Sequence, residues 1–329
     1  MSDADPTVLI LTHSGDYYTV DRVQEALERR GARPLRLDTD RYPVSLRLSA
    51  RLDVPGGHWI ETDGGTVSTG SVEAVWVRRI WPPELDENLD ERFREGCQRE
   101  SFAALAGFLD GLDHARWVNA PGASREAENK LRQLRLAQAE GLAVPRTLVT
   151  NSPERAREFH EELGGDVVAK MLTPLSVSMG AAELFVHTSP VRPEDLEDAG
   201  GLRHSPMVFQ ENVPKEVELR VACAGDELFV GAIDARGTAG TTDWRAAAPS
   251  EVSWQAGELP AETAVRLRRL LRRLGLVYGA VDLIRTPDGR HVFLEVNPGG
   301  EWGMLERDLG LPVSEALASA LLESEEKRP

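Results

Sequence analysis

Apolar and polar positions recur along the first third of the chain in two rhythms, which predict alternating strands and helices. An apolar run at 7–11 is followed by apolar residues at helical spacing over 20–27, and then by a second apolar stretch at 34–37. A strand, a helix and a strand in this order are typical of a βαβ unit with a parallel sheet. The chain is therefore predicted to begin with an α/β domain.

Further strands and one long helix extend this domain. Apolar residues alternate over 45–54, and the pair Gly64-Gly65 separates two extended stretches, which predicts a hairpin. Another strand is predicted over 72–80, where two prolines end it, and a long helix over 93–112. The domain is expected to end near residue 118.

The rest of the chain mixes strands and helices. Residues 119–122 are predicted to form a loop and a domain boundary. Eight strands are predicted, at 147–150, 167–171, 183–187, 207–213, 218–224, 227–233, 279–285 and 291–297. Four helices are predicted, at 127–139, 153–163, 260–274 and 312–322.

Charge and composition limit the classes of partner. The chain has 38 basic and 54 acidic residues, a net charge of −16, which disfavours binding to nucleic acid or to an anionic membrane. There is no apolar run of about 20 residues, and the acidic N-terminus is unlike a signal peptide. Cys97 and Cys223 are expected to be buried thiols. We therefore expect a cytoplasmic protein.

The strongest chemical pattern lies in the last pair of predicted strands. Asp282 stands in the middle of an otherwise apolar strand, and Glu295 and Asn297 are two positions apart on the next strand. Side chains two apart point to the same face, and antiparallel pairing can bring Asp282 onto that face. Two carboxylates and an amide oxygen suit Mg²⁺ held together with substrate phosphates. The competing interpretation is a hairpin face with ordinary polar residues.

The lysines form a second pattern, since only four of the 38 basic residues are lysine. Lys170 ends an apolar strand and Lys130 begins a helix, so either side chain can meet an anionic ligand. The segment after Lys170 contains small residues, including Ser178 and Gly180, and can close over phosphates with backbone N–H groups. Each lysine taken singly is equally consistent with a solvated surface charge.

A third pattern is a break at Pro214 between two predicted strands, which exposes backbone N–H and C=O groups near 210–213. These backbone groups can bind the edge of an adenine, while Glu218 can hold a ribose and Arg220 a phosphate. The alternative is a plain connection between two strands. The residues with the candidate backbone groups are Gln210, Glu211, Asn212 and Val213.

Taken together and in this order, these residues resemble the ATP-grasp superfamily, with the string EVNP at 295–298 as the most specific match. The resemblance implies an α/β protein with α+β lobes, an ATP-grasp fold preceded by an α/β domain. It implies boundaries at 1–118 for the pre-ATP-grasp domain, 119–209 for the central lobe and 210–329 for the C-terminal lobe.

The resemblance also implies roles for the candidate residues, with ATP and Mg²⁺ as cofactors. The nucleotide-binding set is Lys130, Lys170, the adenine hinge at 211–213 and the ribose carboxylate Glu218. The Mg²⁺ ligands are Asp282, Glu295 and Asn297, and Arg220 lies near the reacting phosphate.

Within this superfamily, the strings at 8–16, 75–82 and 233–245 resemble the macrocyclases of the graspetides, the microviridin-type and plesiocin-type ribosomal peptides. This implies an ATP-dependent ligase that activates side-chain carboxylates of a precursor peptide as acyl phosphates. A Ser or Thr hydroxyl or a Lys amine then attacks, with release of ADP and phosphate, and the ester product is favoured. A peptide partner with a leader and an acidic core, and a homodimer, are implied as well.

Several arginines are expected to serve the peptide. Arg220 and Arg236 are candidates to hold the carboxylate and stabilise the oxyanion, and Trp244 and Arg245 belong to the matching string. Arg78 and Arg79 alternate across their strand, so one can face the peptide while the other pairs inside. Two other functions remain open: an ATP-grasp ligase for a small molecule or free amino acid, and a non-catalytic nucleotide-binding regulatory protein.

Overall fold

The computed structural model describes residues 5–54, 57–62, 65–172, 188–233 and 253–323. The described elements of the N-terminal part, in chain order, are β1 (Thr7–Thr12), α1 (Tyr18–Arg29), β2 (Arg33–Asp38), β3 (Arg47–Ala50), β4 (His58–Thr62), β5 (Gly65–Ser68), β6 (Val72–Val77), α2 (Glu91–Asp110) and β7 (Arg116–Val118).

The N-terminal part contains a parallel sheet in the order β2-β1-β6-β7 and a small antiparallel sheet of β3, β4 and β5. All six residues of β1 are buried, as expected for a strand covered on both faces. The predicted βαβ unit and hairpin are confirmed. The loops that follow β1 and β6 leave the same edge of the sheet, and this edge turns toward the C-terminal part of the chain.

The middle of the chain forms a third sheet, which is four-stranded and antiparallel, in the order β10-β9-β11-β8. Its elements are α3 (Pro121–Ala127), α4 (Lys130–Ala139), β8 (Thr147–Thr150), α5 (Pro153–Glu162), β9 (Val167–Lys170), β10 (Ser189–Pro190), α6 (Pro193–Glu197) and β11 (Met207–Glu211). The strand predicted at 183–187 lies outside the described residues.

The structure corrects the prediction of a loop over 119–122. A helix begins at Pro121, since proline at the first helical position loses no hydrogen bond. Asn119 is buried, and its amide donates to the carbonyls of Tyr278 and Pro298 and accepts from the N–H groups of Val277 and Tyr278. Asn119 therefore links this stretch to the C-terminal part of the chain.

The C-terminal part is built on a five-stranded antiparallel sheet in the order β14-β13-β12-β15-β16. Its elements are β12 (Val217–Ala224), β13 (Glu227–Ile233), β14 (Trp254–Ala256), α7 (Ala261–Arg273), β15 (Tyr278–Arg285), β16 (His291–Asn297), α8 (Gly303–Leu309) and α9 (Val313–Leu322). Helices α4 and α7 share an apolar cluster with one face of this sheet.

The opposite face of the five-stranded sheet shares a core with the N-terminal part. One buried cluster contains Trp76 of β6, Trp302 just before α8, and Leu317 of α9. Helix α9 also packs against α1. The N-terminal part thus packs against the sheet that carries the predicted metal ligands. The boundaries at 118 and 209 stay a prediction.

Two expectations from composition can be compared with the described residues. Within them, no helix is both long and apolar enough to cross a bilayer. Cys223 is fully buried, and desolvation raises the pKa of its thiol to about 12. Cys97 is only half-buried, so the expectation of two buried thiols is wrong for this residue, which lies in the N-terminal half of α2, before the buried residues of that helix.

Candidate functional site

A row of three charged side chains crosses the middle of the five-stranded sheet. Arg220 on β12 is directly opposite Asp282 on β15, which is directly opposite Glu295 on β16. Asn297 is two residues beyond Glu295 on the same face. The predicted convergence of Asp282, Glu295 and Asn297 on one face is therefore confirmed by the strand register.

A β-bulge next to this row allows one face of β16 to carry both the charged Glu295 and the apolar Val292. Asp282 pairs with Glu295 whereas Leu283 pairs with Phe293, so that Leu294 is the extra residue. A bulge shifts which side chains share a face. Val292 can therefore pack with Ile284 and Val213 in an apolar cluster on the same side of the sheet that carries Glu295.

Each carboxylate of the row is in contact with a cation. The Arg220 guanidinium donates to an Asp282 oxygen at 2.7 Å, and Arg220 is only 6% exposed. The Lys130 ammonium lies 2.8 Å from a Glu295 oxygen. Lys130 is the first residue of α4, whose N-terminus is capped by the side chain of Asn129. The sequence prediction that Lys130 begins a helix is confirmed.

The oxygen donors of the row fit Mg²⁺ that completes its coordination from a substrate. Two carboxylates and the exposed Asn297 amide offer hard oxygen ligands. In the parts of the chain that the structure describes, no group of three or more His, Cys, Asp or Glu side chains is placed to hold a metal ion. Mg²⁺ usually keeps several waters and binds through one or two carboxylates and substrate phosphates, which matches this sparse set.

A cleft beside the row lies between α4, β16 and the four-stranded sheet β10-β9-β11-β8. Its floor and walls are mainly apolar, while Lys130, Lys170 and Glu295 contribute charge. Apolar walls are the surroundings that a flat heterocycle prefers, and two lysines beside carboxylates favour a phosphate chain at one end. The lining residues are Lys130, Leu131, Leu134, Thr147, Val149, Lys170, Met171, Leu172, Val208, Gln210, Leu294 and Glu295.

The predicted break near 210–213 is present, since β11 ends at Glu211 and β12 begins at Val217. Gln210 is buried and its side-chain amide donates to the Thr147 hydroxyl. The backbone N–H groups of Glu211 and Asn212 donate to the carbonyls of Arg146 and Asp166, both at 2.9 Å.

The expectation that the N–H groups of this stretch stay open to a ligand is therefore wrong for Glu211 and Asn212. These groups are used because hydrogen bonds of β11 to its neighbouring segments extend to Asn212. Val213 is buried beside the cleft and is the remaining candidate for an N–H donor. Glu218, the predicted ribose carboxylate, is in contact with the Lys215 ammonium at 2.7 Å.

The two adjacent arginines at the end of β6 have different environments. Arg78 is 3% exposed and is surrounded by protein acceptors, whereas Arg79 is exposed. Desolvation lowers the pKa of the Arg79 guanidinium from its usual value, and the Arg78 charge lowers it further. The sequence predicts that one of the two arginines pairs inside while the other can face the peptide, and Arg78 is the enclosed one. Arg79 is the one that can face a peptide.

One residue at the site was missed by the sequence analysis. Gln133 of α4 is buried, and its amide both donates to the Val296 carbonyl at 2.8 Å and accepts from the Val296 N–H at 3.0 Å. This pairing binds α4 to the outer edge of β16. It also holds Lys130, which lies three residues earlier on the same helix face, beside Glu295. The spacing of a glutamine three residues after Lys130 was the available signal.

Five of the predicted site residues cannot be placed. They lie outside the described residues: Ser178, Gly180, Arg236, Trp244 and Arg245.

Comparisons with known proteins identify the family of the chain. Residues 7–125 match the family model of the MvdD pre-ATP-grasp domain. The macrocyclase MdnB from Microcystis aeruginosa MRC is 46% identical, with 97% of this chain and 99% of that chain covered and a TM-score of 0.82. A Chryseobacterium gregarium RiPP-associated ATP-grasp ligase, solved with ADP and a leader and core peptide, is 31% identical, covers 98% and 97%, and has a TM-score of 0.90.

A more distant curated relative is a probable alpha-L-glutamate ligase from Psychromonas ingrahamii, 27% identical over 192 residues. The match covers 56% of this chain and 60% of the length of that ligase. The resemblance to ATP-grasp ligases and, within them, to the graspetide enzymes is confirmed. The chain is an ATP-dependent ligase and belongs to the family of ATP-grasp macrocyclases that act on ribosomally synthesised, post-translationally modified peptides.

Proposed function

We propose that this protein closes rings within a ribosomal precursor peptide by joining Asp or Glu side chains to Ser or Thr hydroxyls, with Lys amines as the alternative acceptors. The observation that carries the proposal is the row of Arg220, Asp282 and Glu295 beside an apolar cleft with two lysines. Its support from relatives is the 46% identity to a macrocyclase and the peptide-bound relative from Chryseobacterium gregarium.

The nucleotide is proposed to lie in the cleft. The adenine packs between the apolar walls near Val213, and Glu218 is the candidate for the ribose. Lys130 and Lys170 hold the phosphates, while Asp282, Glu295 and Asn297 hold Mg²⁺. Bound there, Mg²⁺ supplies positive charge that neutralises the phosphate oxygens during transfer.

The chemistry takes place in two steps. An oxygen of the peptide carboxylate attacks the γ-phosphorus, the bond to ADP breaks, and an acyl phosphate forms on the peptide. The acceptor oxygen or nitrogen then attacks the acyl carbon, phosphate leaves with the former carboxylate oxygen, and the acceptor proton passes to phosphate. The balance is one water lost from the peptide for each ATP split into ADP and phosphate.

The protein residues act by orientation and charge rather than as nucleophiles. Arg220 keeps a buried positive charge beside Asp282, where negative charge moves during phosphoryl transfer. Arg79, exposed at the end of β6, is the described candidate to hold an acidic side chain of the peptide. On a chain with a net charge of −16, this attraction has to be local.

The test is an intact mass measurement of an acidic precursor peptide incubated with the protein, ATP and Mg²⁺. We expect ATP-dependent loss of whole waters, and reversal by mild alkaline hydrolysis, which distinguishes esters from amides. The Asp282→Asn variant is the matched control, since it keeps the size of the side chain and removes its charge. An unchanged peptide mass with ADP formation on free amino acids would instead favour a small-molecule ligase. The absence of turnover with any acceptor would favour a nucleotide-binding regulatory protein.

The homodimer implied by the resemblance is part of the proposal. It is tested by measuring the molar mass of the purified protein by light scattering, where a monomer would contradict it.

A further inference from the structure

Arg78 reaches from the N-terminal sheet to the turn that follows the metal-ligand strand β16. Its guanidinium donates to the Gly299 carbonyl at 2.6 Å and to the Glu301 carboxylate at 2.5 Å. Arg78 is 3% exposed, which shields its donors from water and strengthens their hydrogen bonds, whereas the Glu301 side chain is 42% exposed. The turn is therefore tied to the end of β6.

The same guanidinium is also held from the N-terminal side. Its Nε donates to the Thr19 hydroxyl at 3.2 Å and lies 3.4 Å from an Asp16 carboxylate oxygen. The guanidinium is a planar fork with donors in fixed directions. Because both sides of the fork are engaged, it fixes the position of the turn relative to the N-terminal sheet.

The turn contacts one candidate metal ligand, Asn297, directly and a second, Asp282, through Arg220. The Gly299 N–H donates to the Asn297 side-chain oxygen at 3.1 Å. The Glu301 carbonyl accepts from Nε and Nη2 of Arg220 at 3.2 and 3.0 Å, and Arg220 donates to Asp282. Two short chains of hydrogen bonds thus connect Arg78 with Asn297 and with Asp282.

The turn is also closely packed, so a displacement at one end is felt at the other. A Cβ atom added to Gly300 would lie 2.4 Å from the Ala280 Cβ and 2.9 Å from Arg220 Nη2. The Tyr278 hydroxyl donates to the Gly300 carbonyl at 2.8 Å. Only glycine permits the backbone to approach the sheet this closely.

We propose that Arg78 is a positioning residue for the metal site: the N-terminal domain, through Arg78 and the 298–301 turn, sets where Asp282 and Asn297 present their oxygens. This inference rests on the Mg²⁺ site of the proposed function. It gives the N-terminal domain a part in the phosphoryl-transfer chemistry, besides any part in holding peptide. Metal affinity depends on a residue that does not touch the metal.

The experiment measures Mn²⁺ binding to the full-length protein at saturating ADP, by the electron paramagnetic resonance signal of free Mn²⁺, with no peptide present. The variants are Arg78→Met and Arg78→Lys. The matched control is Arg116→Met, because Arg116 also joins the N-terminal sheet to the C-terminal part, through the Leu321 carbonyl at 2.9 Å, away from the turn. Thermal unfolding of each variant is recorded in parallel.

We expect Arg78→Met to weaken Mn²⁺ binding about tenfold, as the loss of one charged hydrogen bond would. Arg78→Lys should recover part of this loss, since an ammonium can reach one acceptor but not both. Arg116→Met should bind Mn²⁺ as the wild type does, even if its melting temperature falls as much. Wild-type Mn²⁺ affinity in Arg78→Met, or an equal loss in Arg116→Met, would overturn the proposal.

A second variant covers the case in which Arg78→Met does not fold. Glu301→Gln keeps the shape and an acceptor for Arg78 but removes the charge, and we expect about a threefold weaker Mn²⁺ affinity. An unchanged affinity would overturn the proposal. Failure of the wild type itself to bind Mn²⁺ with ADP is a separate result: it would overturn the metal site of the proposed function, and the role of Arg78 with it.

Discussion

The two ion pairs of the charged row differ in burial and in the geometry of their cations. The side chains of Arg220 and Asp282 are 7% and 14% exposed, whereas those of Lys130 and Glu295 are 32% and 27% exposed. Arg220 is also bonded to the Glu301 carbonyl through two further nitrogens, while Lys130 presents a single ammonium on a flexible chain. The Arg220–Asp282 pair is therefore enclosed at the sheet, whereas the Lys130–Glu295 pair is partly exposed to water.

This difference separates two tasks within one site. A buried ion pair is costly to break, because the remaining charge loses its partner away from water, at about 3–5 kcal/mol. A pair exposed to water contributes only about 0–1 kcal/mol. Arg220 and Asp282 can therefore hold the frame of the site. In the proposed function, Lys130 moves to a phosphate and releases Glu295 to a metal, and the partial exposure of this pair keeps the cost of that exchange low.

The largest expected effect is that of Arg220→Met. It removes the guanidinium that contacts Asp282 and the Glu301 carbonyl, so we expect a loss of about 3 kcal/mol in the free energy of unfolding. Phosphate release should fall by more than about a hundredfold. Urea unfolding and a phosphate-release assay measure the two effects.

The double variant Arg220→Met/Asp282→Asn is the control for this interpretation. With the carboxylate charge gone as well, it should be more stable than Arg220→Met while remaining inactive. A double variant no more stable than the single one would show that Arg220 does not stabilise the fold through Asp282.

Lys130→Met tests the more exposed of the two pairs, Lys130–Glu295. We expect the free energy of unfolding to change by less than about 1 kcal/mol, whereas ADP affinity weakens about tenfold to a hundredfold through loss of a charged contact. Mn²⁺ binding without nucleotide should become tighter, because Lys130 no longer competes for Glu295. Calorimetry and Mn²⁺ titration measure these affinities.

The matched control for Lys130→Met is Arg132→Met, two residues later on α4. This variant removes an ion pair with Glu126 of the preceding helix α3. Its nucleotide and metal affinities should equal those of the wild type. If Lys130→Met bound Mn²⁺ more weakly than the wild type in the absence of nucleotide, the idea of an exchangeable pair would be wrong.

Arg79→Gln extends the comparison to a guanidinium that faces solvent. We expect the KM for the precursor peptide to rise about tenfold, from loss of a charged hydrogen bond, with little change in stability. Arg41→Gln, an exposed arginine after β2 on the same edge of the sheet, is the control. Steady-state kinetics with varied peptide measure the effect, and an unchanged KM would remove Arg79 from the peptide site.

The smallest expected effect is that of Tyr278→Phe, which removes the bond to the Gly300 carbonyl. We expect a loss of about 1 kcal/mol in the free energy of unfolding at neutral pH. Burial raises the pKa of Tyr278 above its usual value near 10, so the folded state favours the protonated phenol.

That pKa shift gives the pH dependence its sign. The stabilisation from a protonated Tyr278 is fully present below the pKa of the unfolded chain, near 10, and is lost as pH rises above it. The difference between wild type and Tyr278→Phe should therefore shrink above pH 10. Urea unfolding at pH 8 to 11 measures this, and a difference that grows with pH would contradict the assignment.

The sequence by itself determined the local pieces of the site. Periodicity of two placed Glu295 and Asn297 on one face, and an acidic residue in an apolar strand singled out Asp282. Lys130 and Lys170 stood out in a chain that otherwise uses arginine, and the order of these residues indicated the family. These features are predictable because they depend on neighbours a few positions away.

Only the tertiary structure decided which side chains are enclosed. Alternation along β6 put Arg78 and Arg79 on opposite sides, but the turn that covers Arg78 comes more than 200 residues later in the chain. Asn119 and Gln133 look like ordinary polar residues until they meet the backbone of β15 and β16. The N–H groups of Glu211 and Asn212 were assigned to a ligand because the sequence does not reveal their distant carbonyl partners. Such partners are set by packing of remote segments, and local pattern carries no record of it.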